Sequence, residues 1–245
     1  MLTAMILTMW GILMESKKLP PGQHEIDAIP RWNIDHPGVI PKNPKFDPEK
    51  WTLIVEGDVE NPLELTWQAF LKLPSVESIS DFHCVEGWSV KGCRWYGIKF
   101  NTLVKVVAPS KDAKYVLFTC SDGYKTFLDL KDLIKDNVLL AYKLNGQFLE
   151  DSLGGPVRLI VPDKYAYKNA MWIERMTFTN RKALGYWEKR GYSDTADVWK
   201  NDRVPRSVRI DQFFNCSKGS WIFKSFSFNV EAFSKVMISF PSCFY

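Results

Sequence analysis

The chain has 245 residues, 46% of them hydrophobic and 14% aromatic, which is enough apolar material for a large core and excludes an intrinsically disordered polymer. Its 32 basic and 28 acidic residues are interspersed and leave a net charge of +4, so no basic arm marks it as a nucleic-acid binder. The cysteines (Cys84, Cys93, Cys120, Cys216, Cys243) are odd in number with no C-x-x-C pair, which argues against a disulfide framework or structural zinc and for a reducing, cytoplasmic setting.

The first fourteen residues are apolar but fall short of the about 20 that a membrane helix needs, and no basic residues precede them, so neither stable membrane insertion nor a signal peptide is expected. Residues 1–18 read as an N-terminal extension. "WTLIVEGDVENPLEL" alternates apolar and polar residues and breaks at Asn61-Pro62, predicting a strand, a turn and a second strand. "TWQAFLKLP" predicts a helix capped by Thr66 and stopped by Pro74, with Trp67, Phe70 and Leu71 on one face. "SISDFHCV" reads as a strand carrying Cys84, with His83 pointing to the opposite side. "KFNTLVKVVAP" predicts a short helix behind Asn101. "KYVLFTCSDGYKTFLDLKDLI" gives two strands around an Asp122-Gly123 turn and then a helical turn. "VLLAYKLNGQFL" gives a hairpin turning at Asn145-Gly146. "GGPVRLIVPDKYAYKNAMWIERMTFT" gives a buried strand, a polar loop and another strand. Many short strands with three or four short helices predict an α+β domain of predominantly β character over residues 19–203. The aromatic, Ser-rich run after 204 has no steady period and reads as an atypical tail.

The chain lacks G-x-G-x-x-G, a P-loop, H-E-x-x-H and G-x-S-x-G, and its three histidines are too few for a multi-histidine metal centre. Cys84 is open to three readings: a small buried thiol, a nucleophile paired with a distant histidine in a hydrolase, or a ligand. Arg158, in an apolar strand behind two glycines, requires an anionic partner, either an internal carboxylate or a bound phosphate. Lys164 and Lys168 follow it in an aromatic loop as solvated lysines or phosphate ligands.

The segments "DFHCVEGWS", "YVLFTCSDGYKT", "LLAYKLNGQFL", "GGPVRLIVPDKYAYKNAMW" and "GYWEKRGYSDTADVW", with "LPPGQ" and "DPEKWTLIVEGDVENPLELTW" upstream, resemble in order and spacing the sulfite-oxidase-like molybdopterin oxidoreductases. The resemblance covers about residues 19 to 203 and implies a mixed-sheet molybdopterin-binding domain of the sulfite oxidase type. It also implies a molybdenum-molybdopterin cofactor, with Cys84 as the thiolate ligand of the metal. Arg158 matches the arginine that holds the pterin phosphate, Lys168 lies in the loop that follows, and Asn169, Ala170 and Met171 match the segment wrapping that phosphate. Relatives commonly have a lysine where this chain has Met171, and a His or Asn where it has Leu153, so Lys164 or Lys168 is expected to compensate. Cys120 or Asp122 sits where relatives contact the pterin, and His36 resembles the N-terminal cofactor-contacting histidine.

The resemblance implies two-electron oxygen-atom transfer on a small molecule, with an unidentified protein as electron donor or acceptor. The positions where true sulfite oxidases place substrate-holding arginines here carry Ile34 and Trp88-Ser89. Sulfite is therefore not the expected substrate. Reduction of a sulfoxide such as oxidised methionine is the alternative, and a non-catalytic molybdopterin carrier is a further one. No haem domain or C-terminal immunoglobulin-like domain is expected within the chain, which reads as a minimal catalytic subunit.

Overall fold

A computed structural model describes residues 18–36 and 42–204; the apolar N-terminal run and the tail after 204 lie outside the described residues. In chain order the elements are β1 (His24–Glu25), β2 (Thr52–Gly57), β3 (Leu63–Thr66), α1 (Trp67–Leu71), β4 (Val76–His83), β5 (Trp88–Lys99), α2 (Phe100–Val107), β6 (Tyr115–Cys120) and β7 (Lys125–Asp129). They continue with α3 (Leu130–Leu133), β8 (Leu139–Leu144), β9 (Gln147–Phe148), β10 (Arg158–Ile160) and β11 (Ile173–Thr179). Single 3-10 turns lie at Asp151–Leu153, Ala166–Lys168 and Glu188–Arg190. The predicted α+β, strand-dominated class is the observed one. Among the described residues no helix is long and apolar enough to cross a membrane.

The strands form two mixed sheets. One runs β3-β2-β11-β6-β7, with β11 parallel to β2 and the other pairs antiparallel. The other is built on β5, which pairs antiparallel with β4 and β8 and parallel with β1; β8 also carries β9 and β10. Alternation in β2 and β6 turns Leu53, Val55, Val116 and Phe118 inward, where they meet Ile98 of β5, Leu140 of β8 and Leu159 of β10. Helices α1 and α2 add Trp67, Phe70, Phe100, Leu103 and Val107 to this core.

Thr66 caps α1 as expected, its side chain accepting from Ala69 N at 3.3 Å, but the helix ends at Leu71, ahead of Pro74. Helix α2 starts two residues earlier than expected: Lys99 is its cap and Asn101 lies inside the first turn. The largest miss is β5, twelve residues long, which contains Gly92 and Gly97. Gly97 of β5 pairs with Ala141 of β8, and a Cβ there would stand 2.2 Å from the Leu140 carbonyl and 2.6 Å from Ala141 Cα. A glycine, which by itself weakens a strand interior, is thus what permits the pairing. Gly97→Ala is expected to lower stability by about 1–3 kcal/mol through forced separation of the strands. The measurement is the urea midpoint, and an unchanged midpoint would mean that β5 and β8 part at no cost.

Candidate active site

The hairpin of β4 and β5 ends in a turn over residues 84–87, and Cys84 lies on this turn, one residue beyond the strand expected to hold it. Its N–H bonds the Trp88 carbonyl (2.9 Å) and its carbonyl accepts from Gly87 N (3.1 Å), closing the turn at a glycine with φ +104°. A register shift between Ser80 and Phe82 precedes it, a bulge of the kind that re-aims the residues that follow. His83 faces away from the thiol and is spent on Ser89 Oγ at 2.7 Å.

Cys84 opens into a cleft of about 250 Å³. Its walls come from elements distant in sequence: Trp32 and His36, Trp88, Asp122 and Tyr124 after β6, Arg158 of β10, the 166–172 turn, and Trp187 with Tyr192. Trp32 stacks on His36 with centroids 4.8 Å apart and planes 6° apart, and His36 Nε2 lies 3.0 Å from Glu86 Oε1. Trp88 Nε1 donates to Glu86 Oε2 at 3.0 Å, and the Cys84 thiol lies 3.7 Å from the same oxygen. Burial pushes the Glu86 carboxyl up, but the hydrogen bonds from His36 and Trp88 outweigh it and hold it below its ordinary value.

Burial pushes the Cys84 thiol up to about 12, and the neighbouring Glu86 carboxylate adds to the effect. An activated cysteine nucleophile needs the opposite, a cation or imidazole that lowers its pKa, so the hydrolase reading finds no support here. A bound metal cation reverses this electrostatics by favouring thiolate outright. Among the described residues no three His, Cys, Asp or Glu side chains gather to hold a metal. A metal at Cys84 must therefore bring the rest of its coordination sphere with it, as one carried by an organic cofactor does.

Arg158 is 4% exposed, and no carboxylate pairs with it among the described residues. Nη1 donates to the Leu153 carbonyl (2.9 Å), the guanidinium lies 4.7 Å from the Phe82 ring centroid, and Nε has no hydrogen-bond partner. Burial lowers its pKa to about 10. An uncompensated buried cation is costly. Arg158 Nε and Trp32 Nε1, orphaned donors on residues that line one cleft, fit an anionic, hydrogen-bonding guest.

His36, Cys84, Asp122, Arg158, Asn169, Ala170 and Met171 all line the cleft. Lys164 and Lys168 do not: Lys164 is ion-paired with Asp132 at 2.7 Å on a different face, and Lys168 is buried against Glu188 and the Phe127 carbonyl. Their expected compensation for Met171 is thus corrected, because internal acids take both ammonium groups. The loop expected to be polar and solvated is largely buried, Tyr165, Tyr167, Asn169 and Ala170 included. Cys120 also lies behind the cleft, in the core, where it receives the Met171 backbone N–H. Burial raises Asp122 above the ordinary carboxylate value. Glu86 and the rings of Trp32, Tyr124, Tyr167, Trp187 and Tyr192 are not among the residues singled out from the sequence; only Glu86, two residues past the cysteine in "CVEGW", offers a local signal.

A family model for the oxidoreductase molybdopterin binding domain matches residues 39–187. The chain belongs to this family. It is a molybdopterin-dependent oxidoreductase, and the lone thiol with its buried, unpaired arginine suits the cofactor that such domains bind. An uncharacterized oxidoreductase of Bacillus subtilis, YuiH, is 33% identical over 189 residues, 77% of this chain and 93% of the relative. The Campylobacter jejuni protein-methionine-sulfoxide reductase catalytic subunit MsrP is 29% identical over 181 residues, 66% of this chain and 61% of the relative. This chain thus spans most of the first but about three fifths of the second. In structure, it is similar to the sulfane dehydrogenase SoxCD of Paracoccus pantotrophus, with a TM-score of 0.54 at 18% identity, covering 64% of this chain and 43% of that one. That likeness speaks to the fold alone.

Proposed function

We propose that this molybdopterin-dependent oxidoreductase catalyses two-electron oxygen-atom transfer, and that it works reductively on a neutral sulfoxide of the methionine sulfoxide type rather than on sulfite. The observation that carries the reading is the Glu86 carboxylate beside Cys84, held ionised by His36 and Trp88. Sulfite approaching the thiol would meet that negative charge. The permanent cation among the described lining residues, Arg158, is the group assigned to the phosphate of the cofactor. A polar but uncharged S=O group with an apolar tail meets no such penalty and gains contact with Trp32, Trp88, Trp187 and Tyr192. The sulfoxide reductase named among the relatives supports the same choice over the oxidative reading.

When bound, molybdopterin supplies a metal that exchanges two electrons as an oxygen atom moves. The residues of the chain do the rest: Cys84 gives that metal a soft thiolate donor, Arg158 and the 169–171 segment hold the phosphate, and the aromatic walls exclude water and orient the substrate. Reduction draws on an external electron donor protein, for which a reduced viologen dye substitutes in vitro. The test is a pair of assays on cofactor-loaded, full-length enzyme: dye oxidation by methionine sulfoxide, and ferricyanide reduction by sulfite. Turnover of the sulfoxide without turnover of sulfite is expected, and the reverse pattern overturns the proposal.

A further inference from the structure

The turn that carries Cys84 is held by side chains from both ends of the described domain. From the N-terminal end, Gln23 Nε2 donates to the Cys84 carbonyl at 3.0 Å. Its Oε1 accepts from Ser89 Oγ at 2.9 Å, and that hydroxyl also meets the buried His83 Nδ1. His24 N reaches the Gly87 carbonyl at 2.8 Å. From the C-terminal end, one fork nitrogen of Arg203 donates to the Val85 carbonyl and the other to Gly22 O at 2.8 Å. The Arg203 fork is itself fixed, with Nε on Asn201 Oδ1 at 2.8 Å and the guanidinium 5.3 Å from the Tyr165 ring centroid. Three carbonyls of the turn, those of Cys84, Val85 and Gly87, thus accept from partners outside it.

Turns are the parts of a fold that move most, whereas a metal ligand must stay within about 0.5 Å of its place. We propose that Gln23 and Arg203 are positioning residues for Cys84, a clasp closed from the two ends of the domain that fixes the thiol in the cleft. The inference rests on the ligand role of Cys84 and extends it: positions 23 and 203 both lie outside the 39–187 stretch that defines the family. The segments flanking the family core are therefore part of the catalytic unit. Gly22 O and Val85 O belong to separate segments, and joining them takes a planar fork with two donors; a lysine keeps the charge but not the second bond.

The test is the rate at which iodoacetamide alkylates Cys84 in the cofactor-free, full-length chain, followed by peptide mass, with the buried Cys93 and Cys120 as internal references. Arg203→Gln is expected to speed alkylation of Cys84 about tenfold, as loss of the one charge-assisted hydrogen bond that Arg203 gives the turn, at Val85 O, implies. Arg203→Lys should speed it less, and Gln23→Leu, which removes a single donor, gives a second route should the arginine variants fold poorly. In the loaded enzyme the same variants should lower kcat and leave KM unchanged, because neither side chain lines the cleft. Unchanged Cys84 rates in Arg203→Gln and Gln23→Leu, or an equal rise at all three cysteines, overturn the clasp. The alkylation is read without cofactor, so its failure is distinct from a failure of the ligand role, which the molybdenum content of Cys84→Ala reports.

Discussion

Replacing Cys84 by alanine is expected to abolish turnover and molybdenum retention while changing folding stability by less than about 1 kcal/mol, because the side chain supports almost nothing structural. It is half-buried on a turn, belongs to none of the apolar core clusters, and makes one weak sulfur contact to Glu86. Truncating it extends an existing cleft rather than opening a closed cavity, so the loss that a core truncation brings does not arise. The chemical loss is complete by contrast: with no other thiol lining the cleft among the described residues, no soft donor replaces it. Cys84→Ser separates donor type from shape, since the hydroxyl keeps the size and loses the softness; it should fail as the alanine variant does. Metal content, the reduced-dye assay and a thermal melt on each variant decide the matter, and an alanine variant that keeps metal and turnover removes Cys84 from the site.

What was legible in the sequence had local causes. The Asn145-Gly146 hairpin could be read because the turn needs two residues of positive φ, and these two adopt 50° and 86°. The β2–β3 and β6–β7 pairs could be read because alternation and a break sufficed. β5 could not, because the need for Gly97 lies in the Leu140 carbonyl, forty-odd residues away. The site divides along the same line. Arg158 stood out because a guanidinium in an apolar strand demands a partner wherever the chain goes. The direction of Lys164 and Lys168 did not, since Asp132 and Glu188 are placed by the fold and by no local pattern. Glu86 sits beside the cysteine in sequence, yet its role depends on His36, which lies fifty positions away.

Lys168→Met is expected to destabilise the protein by about 3–5 kcal/mol, the usual result of stripping one partner from a buried ion pair. The Lys168 and Glu188 side chains are 2% and 1% exposed, and Glu188 Oε2 is already without a hydrogen-bond partner. Burial lowers the Lys168 pKa even though Glu188 opposes that shift. The pair joins two turns that face the cleft: Lys168 lies between Tyr167 and Asn169, and Glu188 follows Trp187. Lys168 also donates to Phe127 O at 2.9 Å and Glu188 accepts from Thr126 Oγ1 at 3.3 Å, so both turns are tied to β7. Gly185 permits this approach, since a Cβ there would stand 2.6 Å from Glu188 Oε2. Methionine fills the volume of the lysine stem but leaves the carboxylate charged, buried and unpaired. Adding Glu188→Leu removes that charge, and the double variant should recover most of the loss, giving a large coupling in a double-mutant cycle by urea denaturation. A single variant that costs less than about 1 kcal/mol would mean that water reaches the carboxylate, and that something other than this ion pair anchors the two cleft turns.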